Sequence, residues 1–474
     1  MRISTASTYR RVLLGIRQNQ LRSFELQDQL ASGKRVRQVS DDPTAASRAS
    51  RLERQLGDLG RFREAIAAGE RTLGIAGAAL NEGASLLADA RELLIQGMNG
   101  TLSDKDRGSI AIEFDLIRSE LMQLGNTRAG ELYVFGGTST DSPPWREVQE
   151  GGTSRVVYEG DGESLGVRVG VSIEAEITLS GLVAFGQSDP SGVRFGGLTG
   201  ATSGITADQG EGFAKLHFRH DSTAPGALGS VGIALVNGGD DDTILGDNAI
   251  TVDASAGSIQ LGSGKTVFLS EAVAGELVVE NELGGKLHLD VSGFTGVDYS
   301  GTVTGNGSVS LDGSTYETLT FTETDLELRD PAAGTIVHVD ATAVKRAGNE
   351  TIEFGGTANV FDLLQTIAEE LRNPEGMDTN LLFDRLGDRL TSLDGHHQKL
   401  LESTGVLGAR SARLEVSDQR SSDVEVELQT LLSHAVDADF AELATEMAQS
   451  EFLLQIAQAS GARLMQTSLL NYLG

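Results

Sequence analysis

Four short patterns in the chain contain residue types that could bind or transform a ligand. The triplet Gly-Lys-Thr at 264–266 ends as a phosphate-binding loop ends, but Ile259 occupies the position where that loop needs its first glycine. His217 and His220 are three residues apart, so at strand spacing they fall on opposite faces of a sheet. We therefore interpret the triplet as the entry into a strand and the two histidines as independent side chains.

The other two patterns offer carboxylates and a histidine pair. The acidic run 240–242, with Asp247 nearby, has oxygen ligands for Ca²⁺ but lacks the ordered loop and closing glutamate of a calcium-binding loop. His396 and His397 fall on a predicted helix, where we place His397 near the apolar seam. We interpret the acidic run as a solvated turn and the histidines as packing residues, so we expect no cofactor and no metal.

Catalytic constellations are missing from the sequence. No nucleophile, histidine and acid stand in a recognisable arrangement, and no histidine is followed by glutamate as in the helical zinc-protease motif. The chain contains no cysteine, which excludes disulfides, thiol chemistry and Cys-ligated zinc. We therefore predict that the protein is not an enzyme.

Charge and hydropathy exclude further classes of function. The 474 residues have a formal net charge of −30, which argues against nucleic acid as a partner because phosphates require a basic face. No apolar run approaches the length of a membrane span, and the N-terminus lacks the apolar core of a secretory signal. Residues 1–64 are net basic, with 13 Lys and Arg against 7 Asp and Glu, whereas 186–350 hold 8 against 23. If the protein is extracellular, we expect it to be secreted without a cleaved signal peptide.

The residues that organise the chain form seven-residue apolar repeats. The first repeat, which we predict to be the core of a helical rod, contains Leu52, Leu59, Ile66, Leu73, Leu80, Leu87 and Leu94. Small residues at 69, 76, 83, 90 and 97 form a second register three residues on, where a partner helix could approach closely. A repeat this regular predicts left-handed supercoiled helices, and at about 1.5 Å per residue the first one is roughly 64 Å long.

A matching repeat near the other end provides the partner. It contains Leu386, Leu393, Leu400, Leu407 and Leu414. The two termini are also predicted to be helical. The apolar face at 8–30 is interrupted by polar residues, whereas the one from 440 onward is more continuous. We predict that these terminal faces form an assembly interface, with Leu13, Ile16, Leu26, Leu30, Phe440, Leu443, Met447, Leu454 and Leu464 as its residues.

The middle of the chain has the pattern of β structure. Short apolar runs between glycine-rich turns predict strands, among them 214–218, 231–236, 249–252, 319–321 and 336–339. The predicted fold is α+β, with a long antiparallel coiled-coil rod formed by both termini and one or two mainly β domains inserted in the middle. The predicted domains are 1–42 with 432–474 as a terminal coiled coil, 43–155 with 356–431 as a rod with a β-hairpin near 131–175, and 176–355 as the β insert.

Several motifs resemble the flagellin family. They are Met1-Arg2-Ile3-Ser4-Thr5, the run 27–36, Ser40-Asp41-Asp42-Pro43, Phe135-Gly136-Gly137-Thr138, Tyr158-Glu159-Gly160-Asp161, the run 405–410 and the run 462–473. The resemblance covers residues 1–175 and 356–474 and leaves the insert unassigned. Within the family, Pro43 after the paired aspartates and the ending at 471–474 favour a protein of the hook–filament junction over a filament subunit.

The resemblance implies a structural role in the bacterial flagellum, outside the cell. It implies secretion through the flagellar type III apparatus and termini that form the inner layer of a tube. The partners it implies are copies of the chain in a ring, the neighbouring hook-associated protein, flagellin and an export chaperone. Two alternatives stay open, a filament subunit of the flagellin type and a surface adhesin that acts through the β insert.

Overall fold

The computed structural model describes residues 5–150, 153–186, 192–355 and 358–473. Long helices lie at both ends of the chain. The helices are α1 (Thr5–Ser32), α2 (Pro43–Gly97), α3 (Asp104–Gly125), α4 (Gly181–Phe185), α5 (Val360–Arg372), α6 (Thr379–Val436) and α7 (Phe440–Leu473). The predicted α+β class, with helical ends and a β middle, is confirmed.

Strands occupy the middle of the chain, from residue 128 to residue 353. They are β1 (Arg128–Ala129), β2 (Leu132–Tyr133), β3 (Trp145–Glu150), β4 (Thr153–Tyr158), β5 (Gly166–Gly170), β6 (Ile173–Glu176), β7 (Arg194–Phe195), β8 (Thr202–Ser203), β9 (Phe213–Ala224), β10 (Ala234–Leu235), β11 (Gly246–Asp253), β12 (Ser258–Leu261), β13 (Val267–Phe268), β14 (Glu276–Glu280), β15 (Lys286–Asp290), β16 (Tyr299–Ser310), β17 (Glu317–Thr318), β18 (Leu326–Asp330), β19 (Thr335–Asp340) and β20 (Gly348–Glu353). Short 3₁₀ turns lie at Leu228–Val231, Val236–Gly239 and Leu269–Glu271.

The chain divides into two compact units. The first contains Met1–Ala68, Arg168–Glu174 and Arg413–Gly474, and the second contains Gly69–Val167 and Ala175–Ala412. The first unit holds the terminal helices α1 and α7. The second holds the helices α3, α4 and α5 and all of the strands except the residues 168–174.

Helices α2 and α6 run antiparallel in the second unit. Arg91 Nε donates to Asp394 Oδ1 at 2.7 Å, and Gly83, earlier in α2, lies beside Leu400, later in α6. Leucine or isoleucine is buried at every position of the first repeat except Leu59, which is half-buried, and every leucine of the second repeat is buried. The small residues at 69, 76, 83, 90 and 97 are buried as well. The small residues of α2 therefore face the interior. Side chains of other helices lie close to Gly83 and Gly97.

The glycines of α2 differ in how much room surrounds them, and this difference predicts opposite effects of a methyl group. A Cβ at exposed Gly74 would meet nothing within 4 Å, whereas one at Gly97 would lie 2.7 Å from Leu371 Cδ2. We expect Gly74→Ala to raise the free energy of unfolding by about 1 kcal/mol because alanine is the better helix former. We expect Gly97→Ala to lower it by about 1 kcal/mol because crowding outweighs propensity. Urea midpoints of the two variants test both signs, and stabilisation by both would refute close packing at Gly97.

Local sequence signals set the helix starts. Asp42 Oδ1 accepts hydrogen bonds from the backbone N–H groups of Thr44 and Ala45 at 3.0 and 2.9 Å, and it thereby caps α2, which begins at Pro43. Ser103 and Asp106 form a reciprocal capping box at the start of α3, as their spacing predicts.

The insert contains two hydrophobic cores that share one antiparallel sheet. The strand order of that sheet is β13-β12-β11-β16-β9-β20-β7, with β17 added to β16. Leu216 and Val337 belong to the first core, whereas Ile250 and Leu287 belong to the second, which is built from residues 228–303. The second core therefore lies within the segment between β9 and β16, which adds β11, β12 and β13 to the sheet beyond β16. Ala224 at the end of β9 pairs with Thr304 of β16.

Two of the predicted strands are wrong in their bounds, and a left-handed residue explains each. The run 319–321 follows β17 instead of forming a strand, and Phe321 has a φ of +60°, which a strand does not allow. The run 231–236 is divided by Gly232 at a φ of +76°, so only β10 remains extended. The long strand β16 was not predicted, because glycine at 301, 305 and 307 interrupts its apolar alternation.

Two side chains lie deeper than the sequence predicts. Asp240 and Asp241 are exposed as expected of a solvated turn, but Asp242 is buried. Its carboxylate accepts hydrogen bonds from the Thr223 hydroxyl at 2.7 Å and the His288 backbone N–H at 2.8 Å, and so joins β9 to β15. On α6 the buried histidine is His396, whereas His397, which we placed near the seam, is only half-buried.

Buried ion pairs, which we call the base cluster, attach the β insert to the helices of the second unit. The cluster consists of Arg385 and Arg389 on α6, Glu350 and Glu353 on β20, and Glu370 on α5. Arg385 Nη2 lies 3.1 Å from Glu350 Oε1, and Arg389 pairs with Glu353 and, at 3.3 Å, with Glu370. Every one of these side chains is less than a tenth exposed.

Electrostatics within the base cluster favours the charged arginine. Burial opposes the guanidinium charge of Arg389, but the carboxylates of Glu370 and Glu353 outweigh it and raise its pKa. Burial raises the pKa of Glu350, although Arg385 and the hydrogen bonds from Thr199 oppose that shift. Arg385 therefore opposes the effect of burial on Glu350, while the carboxylates of Glu370 and Glu353 favour the charged form of Arg389.

Candidate assembly surface

The terminal helices α1 and α7 pack antiparallel in the first unit. The buried hydroxyl oxygens of Ser23 and Ser450 lie 2.9 Å apart, and towards the other end a Cβ at Gly461 would lie 3.6 Å from Ile16 Cδ1. Small residues of α7, Ser450 and Gly461, therefore lie against α1 in this seam. Leu26 is buried in this seam.

The connector between α1 and α2 docks on the turn between α6 and α7. The backbone N–H groups of Arg35 and Val36 donate to the carbonyl oxygen of Val436 at 2.7 and 3.2 Å, and Ala438 N donates to Gly33 O at 3.0 Å. Gly33 has a φ of +69°, which lets the chain turn sharply out of α1. These bonds fix where the N-terminal helix meets the C-terminal one.

The paired aspartates after the connector hold its backbone. Asp41 Oδ2 accepts from the N–H groups of Arg37 and Gln38, both at 3.0 Å. These bonds lower the pKa of Asp41, and the bond from Ala45 N lowers that of Asp42. A carboxyl whose pKa is lowered by folding stabilises the fold above its ordinary pKa, and this contribution is lost as the pH falls. The charged forms of both aspartates therefore help to stabilise the connector.

Most of the predicted assembly residues lie in the seam between α1 and α7 of one chain. Leu26 and Leu443 are buried in this seam, while Leu13 and Phe440 are exposed. The half-buried members are Ile16, Leu30, Met447 and Leu454. Leu464 belongs to the part of α7 whose side chains lie outside the described residues. Where it is described, the set is thus largely occupied within the chain.

A second apolar surface on the same helices faces away from the seam. On α1 it contains Leu14, Leu21 and Phe24, which are 61%, 55% and 65% exposed. On α7 it contains Phe452 and Ile456, which are 61% and 47% exposed. Their spacings of seven, three and four residues place each group on one side of its helix. We call these two groups the outward stripes. Phe24 belongs to the apolar face predicted at 8–30, but none of these five residues is among the predicted assembly residues.

Apolar side chains of this size, exposed in a row, indicate a surface that is covered in an assembly. No group of three His, Asp or Glu side chains that could hold a metal occurs in the described parts of the chain. Among the described helices, none has a stretch long and apolar enough to cross a membrane.

A comparison with known families matches the N-terminal part of the chain. Residues 3–140 match the model of the bacterial flagellin N-terminal helical region. The match includes α1, the connector and α2, and it confirms the resemblance to the flagellin family inferred from the sequence motifs.

Two curated relatives are flagellar hook-associated proteins 3. The protein of Salmonella typhimurium is 34% identical over 152 residues, which are 32% of this chain and 48% of that protein. The protein of Escherichia coli is 31% identical over 173 residues, 36% of this chain and 53% of that protein. The chain spans about half the length of these relatives.

Solved structures include similar chains. The flagellar hook-associated protein 3 of Legionella pneumophila is 16% identical, with a TM-score of 0.45, and the alignment covers 81% of this chain and 98% of that one. A crystal structure of the Xanthomonas campestris FlgL protein has a TM-score of 0.44 and 20% identity, with 81% and 99% of the two chains covered.

Proposed function

Because residues 3–140 carry a flagellin-type N-terminal helical region, we propose that this chain is a structural protein of the bacterial flagellum. Its place is the junction between hook and filament, a proposal that its similarity to two flagellar hook-associated proteins 3 supports. Its partners there are copies of itself in a ring, the neighbouring hook-associated protein and flagellin. It acts by assembly and not by catalysis.

The observation that carries this proposal is the pair of outward stripes. The seam of α1 and α7 already buries Leu26 and Leu443 within one chain, so these residues are not free to bind a neighbour. Leu21, Phe24 and Phe452 are free, and their apolar surface gains about 25 cal/mol for each Å² that a neighbouring helix covers. The terminal helices thus form the inner layer of a tube through side chains that single subunits leave in water.

Secretion and location follow from the same role. The subunit leaves the cell through the flagellar type III apparatus without a cleaved signal peptide, and an export chaperone binds the C-terminal helix. It then lies outside the cell at the end of the hook. The β insert acts as an appendage of the second unit, because its two cores are complete without the terminal helices.

A single charge in an outward stripe should abolish assembly without unfolding the subunit. We expect Phe24→Asp or Phe452→Asp to prevent incorporation at the hook end, because a neighbour would have to bury an unpaired carboxylate. The measurements are the fluorescence of a labelled subunit at the hook and the fraction of cells with attached filaments. Circular dichroism of the purified variant should match that of the unchanged protein.

Two controls make the result specific. Ile205→Asp adds the same charge at a residue that is 85% exposed in the β insert and should assemble normally. Leu26→Asp should instead disrupt the α1–α7 seam and lower helicity. Normal incorporation of both Phe24→Asp and Phe452→Asp would refute the proposal, and label along the whole filament would favour a filament subunit.

A further inference from the structure

His396 is a buried titratable side chain of the helical bundle that neither the proposed assembly role nor the base cluster uses. It has no accessible surface, and neither Nδ1 nor Nε2 has a hydrogen-bond partner among the described residues. Leu393 and Leu400, on either side of it along α6, are buried as well. A neutral imidazole in such a place already costs free energy, since one donor and one acceptor are unmet.

We propose that His396 makes the helical bundle of the second unit an acid-sensitive latch, closed while the imidazole is neutral and opened when it takes up a proton. The imidazolium would carry a full charge and two N–H donors with no acceptor to receive them. Such a charge cannot be accommodated without moving the helix that holds it, because buried charges must be paired or hydrated. Opening of α6 around residue 396 lets water reach the ring and relieves this cost.

The charged groups near His396 do not compensate for its protonation. Burial and the positive charge of Lys399, three residues on along α6, both lower the pKa of His396, to about 3. Asp394, the carboxylate two residues before it, already pairs with Arg91 of α2 at 2.7 Å. No carboxylate raises the pKa of His396.

The direction of the pH effect follows from proton linkage. In the open helix the imidazole has its ordinary pKa of about 6.5. Below that pH the open state therefore binds a proton that the closed state does not bind. The closed state is therefore favoured above pH 6.5 and loses this advantage as the pH falls below it. The equilibrium constant for opening should rise about 50-fold between pH 6.5 and 4.5.

Hydrogen exchange in the full-length chain measures this opening where it occurs. Peptides that cover residues 386–407, compared at pH 6.5, 5.5 and 4.5 after correction for intrinsic exchange, should show the 50-fold rise in the unchanged protein. His396→Leu and His396→Gln should remove most of it, since neither side chain titrates. At pH 7.5, His396→Leu should also lower the equilibrium constant for opening by roughly tenfold, because the polar atoms without hydrogen-bond partners are gone.

The neighbouring histidine provides a matched control. His397 is half-buried on the same helix, and His397→Gln should keep the full pH response. An NMR titration of the unchanged protein needs no variant and should find the His396 ring neutral at pH 5. Titration of that ring near pH 6.5, or an equal pH response in the unchanged protein and His396→Leu, would overturn the latch.

Discussion

Replacing Arg389 with alanine should lower the free energy of unfolding of the second unit by about 3–5 kcal/mol, the usual cost of breaking a buried ion pair. The variant leaves Glu353 and Glu370 buried without the guanidinium that neutralises them. It also removes the contact with the Phe213 ring, whose centroid lies 5.3 Å from the guanidinium carbon. The single tryptophan, Trp145, belongs to the second unit and is buried, so its fluorescence in urea reports this loss.

An exposed pair of the same chemistry serves as the control for Arg389. Arg329 pairs with Glu327 at 2.5 Å, but the two side chains are 60% and 46% exposed, so Arg329→Ala should leave the free energy of unfolding almost unchanged. Replacing Arg389 by methionine together with Glu353 and Glu370 by leucine should recover most of the stability, since no charge is left unpaired. Equal losses for Arg389→Ala and Arg329→Ala would contradict the burial of the base cluster.

Leu94→Ala should destabilise the second unit by about 2–5 kcal/mol, because it removes a fully buried side chain from the α2 repeat. The adjacent Ile95 is the control, since Leu94 is 0% exposed and Ile95 is 47% exposed. Ile95→Ala should change the free energy of unfolding by less than about 1 kcal/mol. Urea unfolding followed by Trp145 fluorescence measures both, and similar values for the two would show that the repeat does not face the core.

Features that depend on neighbours in sequence were predictable. Asp42 and Ser103 indicate where α2 and α3 begin, because a capping side chain binds backbone groups within one helical turn. The seven-residue spacing of Leu386 to Leu414 predicts a buried side of α6, because helix geometry repeats nearly at that interval. The strands of the insert were found where apolar residues alternate and missed in β16, where glycine replaces them.

The base cluster and His396 were not predictable in this way. Positions 389 and 396 of α6 belong, with Ser403, to a second set of buried positions seven residues apart. Because these positions hold polar residues, a count of apolar residues does not detect the set. The prediction from the leucines alone therefore placed His397 near the seam, one residue away from the buried His396. Arg389 also meets its partners from β20 and α5 only through the fold, 36 and 19 residues away.

The outward stripes of the terminal helices were not predictable either, because they depend on a contact between distant parts of the chain. Leu26 and Phe24 are two residues apart on α1, yet one is buried in the seam and the other faces outward. Apolarity in the sequence identifies both helices as amphipathic but does not say which side a neighbour in the same chain occupies. Only the pairing of α1 with α7 separates intramolecular residues from those left for assembly.

The return of the chain at Ala224 and Thr304 has a consequence for how such a protein changes during evolution. Since these residues are paired neighbours on β9 and β16, a short turn can close the hairpin where the segment between them is shortened or exchanged, provided that Leu245 of the first core is replaced. The pairing of β9 with β16 therefore sets no fixed length for the segment that connects them. Changes in this segment and changes in the terminal helices can thus be selected separately in one polypeptide.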